Sequence, residues 1–567
     1  MNFYTQIIFL LKKKEKIYFL FLILGLFLIV LIDVFSFSLI IPAFDLIILD
    51  KSPKFLSIDF SILEHFSYFQ ENFKKKFIII FISFFIIKNF LIIYFELVFL
   101  NFFKKINIRI SVDLFKNYLN QDYILFLKTS SENILQKVTQ DVEKFTLFCV
   151  SLMHLLIDFL FLIGISILLI NVNVYFFLIC SITFAFFVLI YTSFFNKRIR
   201  VWSTTYRNAF GKSQNFVIEG LKAFKDLIIY NQKEIYIDNF KKNRFLESHS
   251  SMRITFLSHV QKYWLEIVGI FVLLIILFYL INVNYSLLEV VPILTLFIAI
   301  LFRLLTSLSR LLANFGLVKF HFASADSLVQ EFKQYNTYKN EQTFDKDFIF
   351  NSKIEAKNIN FGYNIEKYSI LKNISFKVNK GDFVGILGPN GSGKTTLINL
   401  ISGFLKPTQG NIVIDDKYEL FKNRNIWFDQ IACVQQNIFL WDTSIKNNII
   451  LSQISDDLAK FNYIKNLLNL DCYFSNFPEK LDTIIGADGI KISGGQKQLI
   501  SIARALYKQA QVLIFDEPTA SLDQDKMELI KNVVINLKGK KTIFMITHHK
   551  DYFYKYFDLV IDLNKQK

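Results

Sequence analysis

Residues 381–404 read GDFVGILGPNGSGKTTLINLISGF, a short apolar strand, a glycine-rich turn and then an apolar pattern of helical spacing. Such a strand, loop and helix can cradle a di- or triphosphate, because glycines let consecutive backbone N–H groups curl inward and the helix adds its positive N-terminus. Gly388, Asn390, Gly391, Ser392 and Gly393 make the turn, Lys394 is placed to reach the terminal phosphates, and Thr395 and Thr396 open the helix. The Thr395 hydroxyl suits Mg²⁺. Further on, VLIFDEP is an apolar strand ending in Asp516 and Glu517, where a metal-holding carboxylate and a neighbouring general base would serve attack of water on phosphate. Between the two lies KISGGQKQLISIARALY, whose Ser493, Gly494, Gly495 and Gln496 precede a helix and offer backbone donors to an anion. Acidic strand ends and capping turns are common singly; here their order and spacing carry the argument.

The elements that position these residues belong to a chain too long for one core. At 567 residues at least two domains are expected. Apolar residues make up 53%, charged residues 20%, and Phe alone fills 66 positions, which excludes disordered, collagen-like and disulfide-scaffold classes and points to a membrane protein. Gly (19) and Pro (7) are scarce, so long helices should dominate the apolar part. Cys149, Cys180, Cys433 and Cys472 form no CxxC pair and read as packing residues. The excess of 16 basic over acidic side chains suits a basic cytoplasmic face with anionic lipid or nucleotide partners, and does not require nucleic acid.

Apolar runs long enough to cross a bilayer, about 20 residues each, begin near Ile17, Phe77, Phe145, Val174, Tyr263 and Leu287. The first has a basic flank but no small-residue cleavage site, so it reads as a retained helix. The third and fourth runs are separated only by NVN (from Asn171) and the fifth and sixth by NVNY (from Asn282), which predicts two tight hairpins. Residues 104–144 carry seven Lys or Arg and residues 197–262 carry thirteen, placing both segments and the N-terminus inside; Lys74, Lys75 and Lys76 would then face outward, against the trend. Polar sequence from about residue 330 predicts a membrane domain over 1–330, a linker over 331–350 and a soluble α/β domain over 351–567.

The succession of P-loop, SGGQ, strand-DE, SLD and ITHH resembles the nucleotide-binding domain of ABC transporters, and with six preceding spans the whole chain resembles an exporter-type half-transporter. The resemblance implies an α-helical six-span transmembrane domain plus an α/β P-loop ATPase domain. It implies ATP and Mg²⁺ as cofactors, with Tyr363 stacking on adenine, Lys394 and Thr395 holding phosphate and metal, Gln436 touching the metal and lying against the membrane domain, and Asp516 supporting Mg²⁺. Glu517 would activate water, Asp523 would cross a dimer seam and His548 would contact the γ-phosphate. In this family SGGQ faces the P-loop of a second copy, so a homodimer is implied, each site keeping Glu517 and Ser493 to Gln496. Two departures stand out: Ile492 replaces the usual Leu, and Ala487 stands where exporters usually carry Glu. The stretches from Val112 and from Asn215 resemble the family's two intracellular loops with their coupling helices.

Substrate is argued from ionisable residues within the spans, which are costly there and default to functional roles. Lys88 lies eleven residues into the second span, about 16 Å along a helix. Arg303 is similarly deep in the sixth, Arg310 follows two turns later on the same face, and Lys262 marks the inner end of the fifth. Together they predict a ladder of cations for an anionic headgroup such as a phosphate or pyrophosphate; the competing expectation is neutralisation by Glu96, Asp158 or Glu266. The run LFRLLTSLSRLLANF, with Lys88 and Lys262, resembles bacterial flippases for lipid-linked oligosaccharides, ATP-hydrolysing translocases, and the Phe-, Ile-, Lys- and Asn-heavy usage fits an AT-rich bacterial genome and so an inner-membrane location. Export of a peptide, lipid or drug is the alternative, and an ATP-gated channel or regulator a third.

Overall fold

The structure, a computed structural model, describes residues 9–39, 54–55, 58–59, 73–282, 287–338, 349–363, 370–451, 457–486, 489, 491–519, 522–547 and 550–565. The chain divides into two compact units, residues 1–121 with 129–337, and residues 122–128 with 338–567.

The first unit is built on six long helices: α1 (Lys13–Ser38), α2 (Phe73–Leu119), α3 (Val142–Val172), α4 (Val174–Lys222), α5 (Lys233–Asn282) and α6 (Leu287–Tyr338). Each contains a stretch long and apolar enough to cross a membrane, six among the described residues. At about 1.5 Å per residue α2, α4, α5 and α6 reach roughly 70–78 Å, more than twice the ~30 Å of a hydrocarbon core. Apolar side chains point both ways, as bilayer-spanning helices require. Phe99, Phe103, Phe145 and Phe148 pack in one interior cluster and Phe161, Phe176 and Phe297 in another, whereas Phe90, Tyr94, Phe278 and Phe302 stand exposed.

The expected α3–α4 hairpin turns on one residue. Asn173 is extended, and its side-chain oxygen accepts the Tyr175 N–H at 2.8 Å to cap α4. The α5–α6 tip lies outside the described residues. Residues 331–338, expected as linker, are instead the last turns of α6. Buried Leu328 and Val329 hold that end in the core, and Glu331 there accepts hydrogen bonds from Tyr118 and Lys137. The helix therefore outlasts the change in composition.

The second unit has two sheets. An antiparallel one, in the order β2-β1-β4-β5, is formed by β1 (Lys353–Phe361), β2 (Leu371–Asn379), β4 (Gln409–Ile414) and β5 (Tyr418–Glu419). A parallel one, in the order β9-β3-β8-β7-β6, is formed by β3 (Phe383–Leu387), β6 (Ile431–Val434), β7 (Val512–Asp516), β8 (Thr542–Ile546) and β9 (Leu559–Asp562). Strands β3, β7 and β8 are buried at every position, as near-continuous apolar runs in a covered parallel sheet should be. Helices α7 (Lys394–Ile401), α8 (Gly494–Tyr507) and α9 (Gln524–Leu537) complete the elements that carry the motifs.

The short helix Tyr123–Lys128, assigned from sequence to the membrane domain, groups with this second unit. Tyr123 and Ile124 pack on its core, the Tyr123 ring lies 5.6 Å from Phe404, and Asp122 pairs with Arg424 at 2.5 Å.

Candidate nucleotide site and the charged residues of the membrane unit

Strand β3 delivers the chain to the glycine turn, and α7 leaves it. Gly388, Gly391 and Gly393 all have positive φ, and a Cβ at Gly388 would stand 2.5 Å from Ser392 Oγ, so the turn has no room for a side chain there. Lys394 folds back over this turn, its ammonium donating to the carbonyls of Gly388 (2.9 Å) and Pro389 (3.3 Å). Thr395 and Asn390 are exposed, and Thr396 is buried. The buried Ser392 hydroxyl has no hydrogen-bond partner among the described residues.

Strand β7 ends in Asp516, which is buried, and its register pairs it with Ile546 on β8. Burial, the neighbouring Glu517 carboxylate and, opposing them, Lys394 bring the Asp516 carboxyl up to about 6. Glu517 adopts φ 52, a left-handed conformation costing about 1–3 kcal/mol for a non-glycine residue, with its N–H held by the Ile546 carbonyl at 3.1 Å. That turn aims its carboxylate at Gln436, whose Nε2 donates to Glu517 Oε2 at 2.9 Å. The geometry thus brings together Lys394, Gln436 and the adjacent Asp516 and Glu517 from three separate stretches of sequence.

Ser493 caps α8 reciprocally with Gln496, at 3.3 and 2.9 Å, and Gln496 also donates to the Tyr473 carbonyl. Gly494 is exposed and Gly495 buried. Asp523 caps α9 through the Lys526 N–H and pairs with the Lys526 ammonium at 2.5 Å, which holds its carboxyl below the usual range. Tyr363, just past β1, is largely exposed and meets Phe361 edge-on at 5.2 Å. His548 and Ala487 lie outside the described residues.

In the membrane unit, three of the four cations expected to form the ladder have carboxylate partners, as the competing expectation of neutralisation had it. Lys88 and Arg303 both hold Asp33, at 2.7 and 2.5 Å, and Arg310 holds Asp158 at 2.9 Å. The reason is the expense of an unpaired charge away from water. Of the carboxylates expected to compete, Asp158 does so, while Glu96 faces His154 at 3.4 Å. Lys262 is exposed. Sequence reasoning missed Asp33; the rule applied to cations within spans would have found it if applied to anions as well.

The ABC transporter transmembrane region family matches residues 19–305, just over half of the chain, and the ABC transporter family matches residues 371–520. The chain is an ABC transporter. An ATP-dependent lipid A-core flippase of Wigglesworthia glossinidia brevipalpis is 27% identical over 469 residues, 78% of this chain and 76% of the relative. Another of that name from Burkholderia orbicola is 36% identical over 199 residues, but that match spans only about a third of either chain, 34% and 33%. A bacterial Atm1-family ABC exporter solved with ATP bound shares the fold, with a TM-score of 0.70 at 18% identity over 97% of this chain and 94% of that one. Six membrane-crossing helices make this transporter a multi-pass membrane protein of the exporter fold with an α/β ATP-binding domain.

Its nucleotide site fits ATP with Mg²⁺ on its own donor set. The Ser392 hydroxyl is orphaned, Lys394 spends its ammonium on carbonyls that a phosphate would outcompete, and Asp516 is a buried carboxyl that a cation would ionise. A bound metal supplies charge neutralisation to phosphoryl transfer.

Proposed function

We propose that this transporter is an ATP-driven flippase, two identical chains in a bacterial inner membrane with their nucleotide units in the cytoplasm, moving an anionic amphiphile such as a polyprenyl-diphosphate-linked oligosaccharide. The carrying observation is Arg303. It sits in a membrane helix with one donor on Asp33 and its buried Nε without an acceptor among the described residues, so it retains capacity for an incoming anion. The lipid A-core flippases among the relatives support a lipid-like cargo.

In the nucleotide site Tyr363 stacks on adenine, and Gly388, Asn390, Gly391, Ser392 and Gly393 present their backbone to phosphate. Lys394 holds the terminal phosphates, Thr395, Gln436 and Asp516 hold Mg²⁺, and Thr396 closes the helix start. Glu517 takes a proton from the attacking water, with Gln436 orienting its carboxylate and His548 contacting the γ-phosphate. Ser493, Gly494, Gly495, Gln496 and Asp523 complete the site of the second copy. The second copy is further supported by the helix Phe224–Ile229, on which Phe224, Ile228 and Ile229 stand exposed in the single chain. ATP binding and hydrolysis then favour different arrangements of the spans.

The test is transfer of labelled lipid-diphosphate oligosaccharide between leaflets of proteoliposomes. Arg303→Ala is expected to lower transfer far more than basal ATP turnover. Equal loss of both, or of neither, counts against the anionic substrate.

A further inference from the structure

Three spans meet at one carboxylate, and a fourth packs an aromatic ring against one of its cations. Asp33 of α1 accepts from Lys88 of α2 on Oδ1 and from Arg303 of α6 on Oδ2. Aromatic faces close around the cations: Phe85 and Phe37 lie 4.3 and 5.4 Å from the Lys88 ammonium, and Phe161 of α3 and Phe37 lie 4.6 and 5.0 Å from the Arg303 guanidinium.

The two cations are not equivalent. Lys88 is 4% exposed and has a second acceptor in Ser36 Oγ at 3.0 Å. Arg303 is 26% exposed, and two buried groups on its helix face, its own Nε and Ser307 Oγ one turn on, have no partner among the described residues. If Arg303 turned away from Asp33, the Lys88–Asp33–Ser36 cluster would remain electrically balanced and hydrogen-bonded. Leaving Lys88, by contrast, would strand a nearly inaccessible ammonium. Arg303 is therefore the exchangeable partner and Lys88 the anchor.

We propose that Asp33, fastened by Lys88, is a specificity-determining counter-ion that an anionic headgroup must displace from Arg303. The proposal rests on the anionic-amphiphile reading above and adds what sets its threshold. A singly charged carboxylate headgroup gains from Arg303 no more than Asp33 already gives, so it does not win the exchange. A phosphate or diphosphate headgroup with two or more charges does, with Ser307 and Arg303 Nε supplying further donors. The site thus selects multiply charged phosphate amphiphiles over fatty-acid-like ones, and Asp33 positions Arg303 without itself touching substrate.

The experiment uses the full-length protein in nanodiscs of phosphatidylcholine and reads the amphiphile concentration that half-saturates the change in ATP turnover. The probes are farnesyl diphosphate, oleate, uncharged farnesol and inorganic pyrophosphate. Wild type is expected to respond to farnesyl diphosphate well below the oleate concentration it needs. Asp33→Asn should lower the oleate value by tenfold or more, equivalent to ~1.4 kcal/mol, while the maximal turnover at saturation stays within about threefold. A purely structural Asp33 would instead depress that maximum. Should Asp33→Asn fail to fold because Lys88 is stranded, Asp33→Asn with Lys88→Met removes both partners, leaves Arg303 free and carries the same expectation. Unchanged discrimination in a folded variant overturns the role of Asp33 while leaving the flippase reading intact. A wild type that does not distinguish farnesyl diphosphate from farnesol overturns the anionic-substrate reading itself, and a response that pyrophosphate alone reproduces overturns the amphiphile.

Discussion

Asp122 offers a direct way to ask whether nucleotide chemistry reaches the membrane helices. It opens the helix Tyr123–Lys128, which belongs to the nucleotide unit although the residues on either side of 122–128 belong to the membrane unit. Its carboxylate pairs at 2.5 Å with Arg424, whose side chain is 11% exposed against 39% for Asp122. A hydrogen bond to a charged group contributes about 1.5–3 kcal/mol. The solvent at Asp122 screens part of that, so about 1–2 kcal/mol is expected, a factor of roughly 5–30 in the attachment of this segment. The Tyr123 ring against Phe404 remains and keeps the segment from leaving outright. Asp122→Ala should therefore leave basal ATP turnover within about twofold, yet lower lipid transferred per ATP at least fivefold. Arg424→Ala costs more by itself, since Arg424 also covers the Phe421 ring at 4.8 Å, but the double variant should lose less than the sum of the two. Strict additivity, or a parallel fall of transfer and turnover, would show that the pair does not join the two activities.

Two further outcomes follow from the nucleotide unit. Glu517→Gln keeps the side-chain shape and the left-handed turn, so phosphate release should fall by about 10²–10⁴ with nucleotide binding retained, and a wild-type rate would exclude Glu517 as the base. Asp415 is partly buried, which alone would raise its carboxyl, but the N–H groups of Lys353, Asn351 and Ser352 and the Ser352 hydroxyl hold it below the ordinary range. A depressed folded-state value gives stability that is present above the unfolded carboxylate range near 3.9 and lost as pH falls through the folded value. Asp415→Asn should therefore flatten the acid limb of thermal unfolding of the full chain below about pH 4, and an unaltered limb would refute this.

The nucleotide unit was legible because its chemistry is local. A glycine turn between a buried strand and a helix is readable from 24 consecutive residues, 381–404, and Lys394, Asp516, Glu517 and Gln436 converge because parallel strands end at one edge. The six spans were legible for the same reason, since hydropathy is a property of each run by itself. Pairing is different. Asp122 and Arg424 stand 302 positions apart, and Asp33 and Arg303 stand 270 apart. No periodicity within YILFLK distinguishes a helix that packs on its own membrane unit from one that packs on the nucleotide unit. The cations within the spans were found, but their depth along a helix says nothing of which carboxylate shares that depth. Asp158 was among the candidates, whereas Asp33, in a run otherwise apolar, was passed over.

On the proposed reading, pairing also changes how ATP can act on the substrate. An open ladder of cations would bind an anion tightly in every arrangement of the helices and would have nothing to release it. A site whose cations already have a partner holds substrate only by the difference between two counter-ions, and a modest shift of one helix can reverse that difference. Helix α2 runs unbroken from Phe73 to Leu119, carrying Lys88, and three residues beyond its end Asp122 is bound into the nucleotide unit. From Lys88 to Leu119 the helix spans about 47 Å, a continuous rod along which, on the proposed reading, a pull at Asp122 would reach Lys88. Lys88 fastens Asp33, and Asp33 competes for Arg303 on a different helix. On the proposed reading, drawing α2 away from α6 would free Arg303 for the headgroup, and returning it would restore Asp33 and expel the headgroup. Under this reasoning Asp122→Ala and Asp33→Asn perturb the two ends of one path, and their effects on lipid transferred per ATP should be non-additive despite the distance between them.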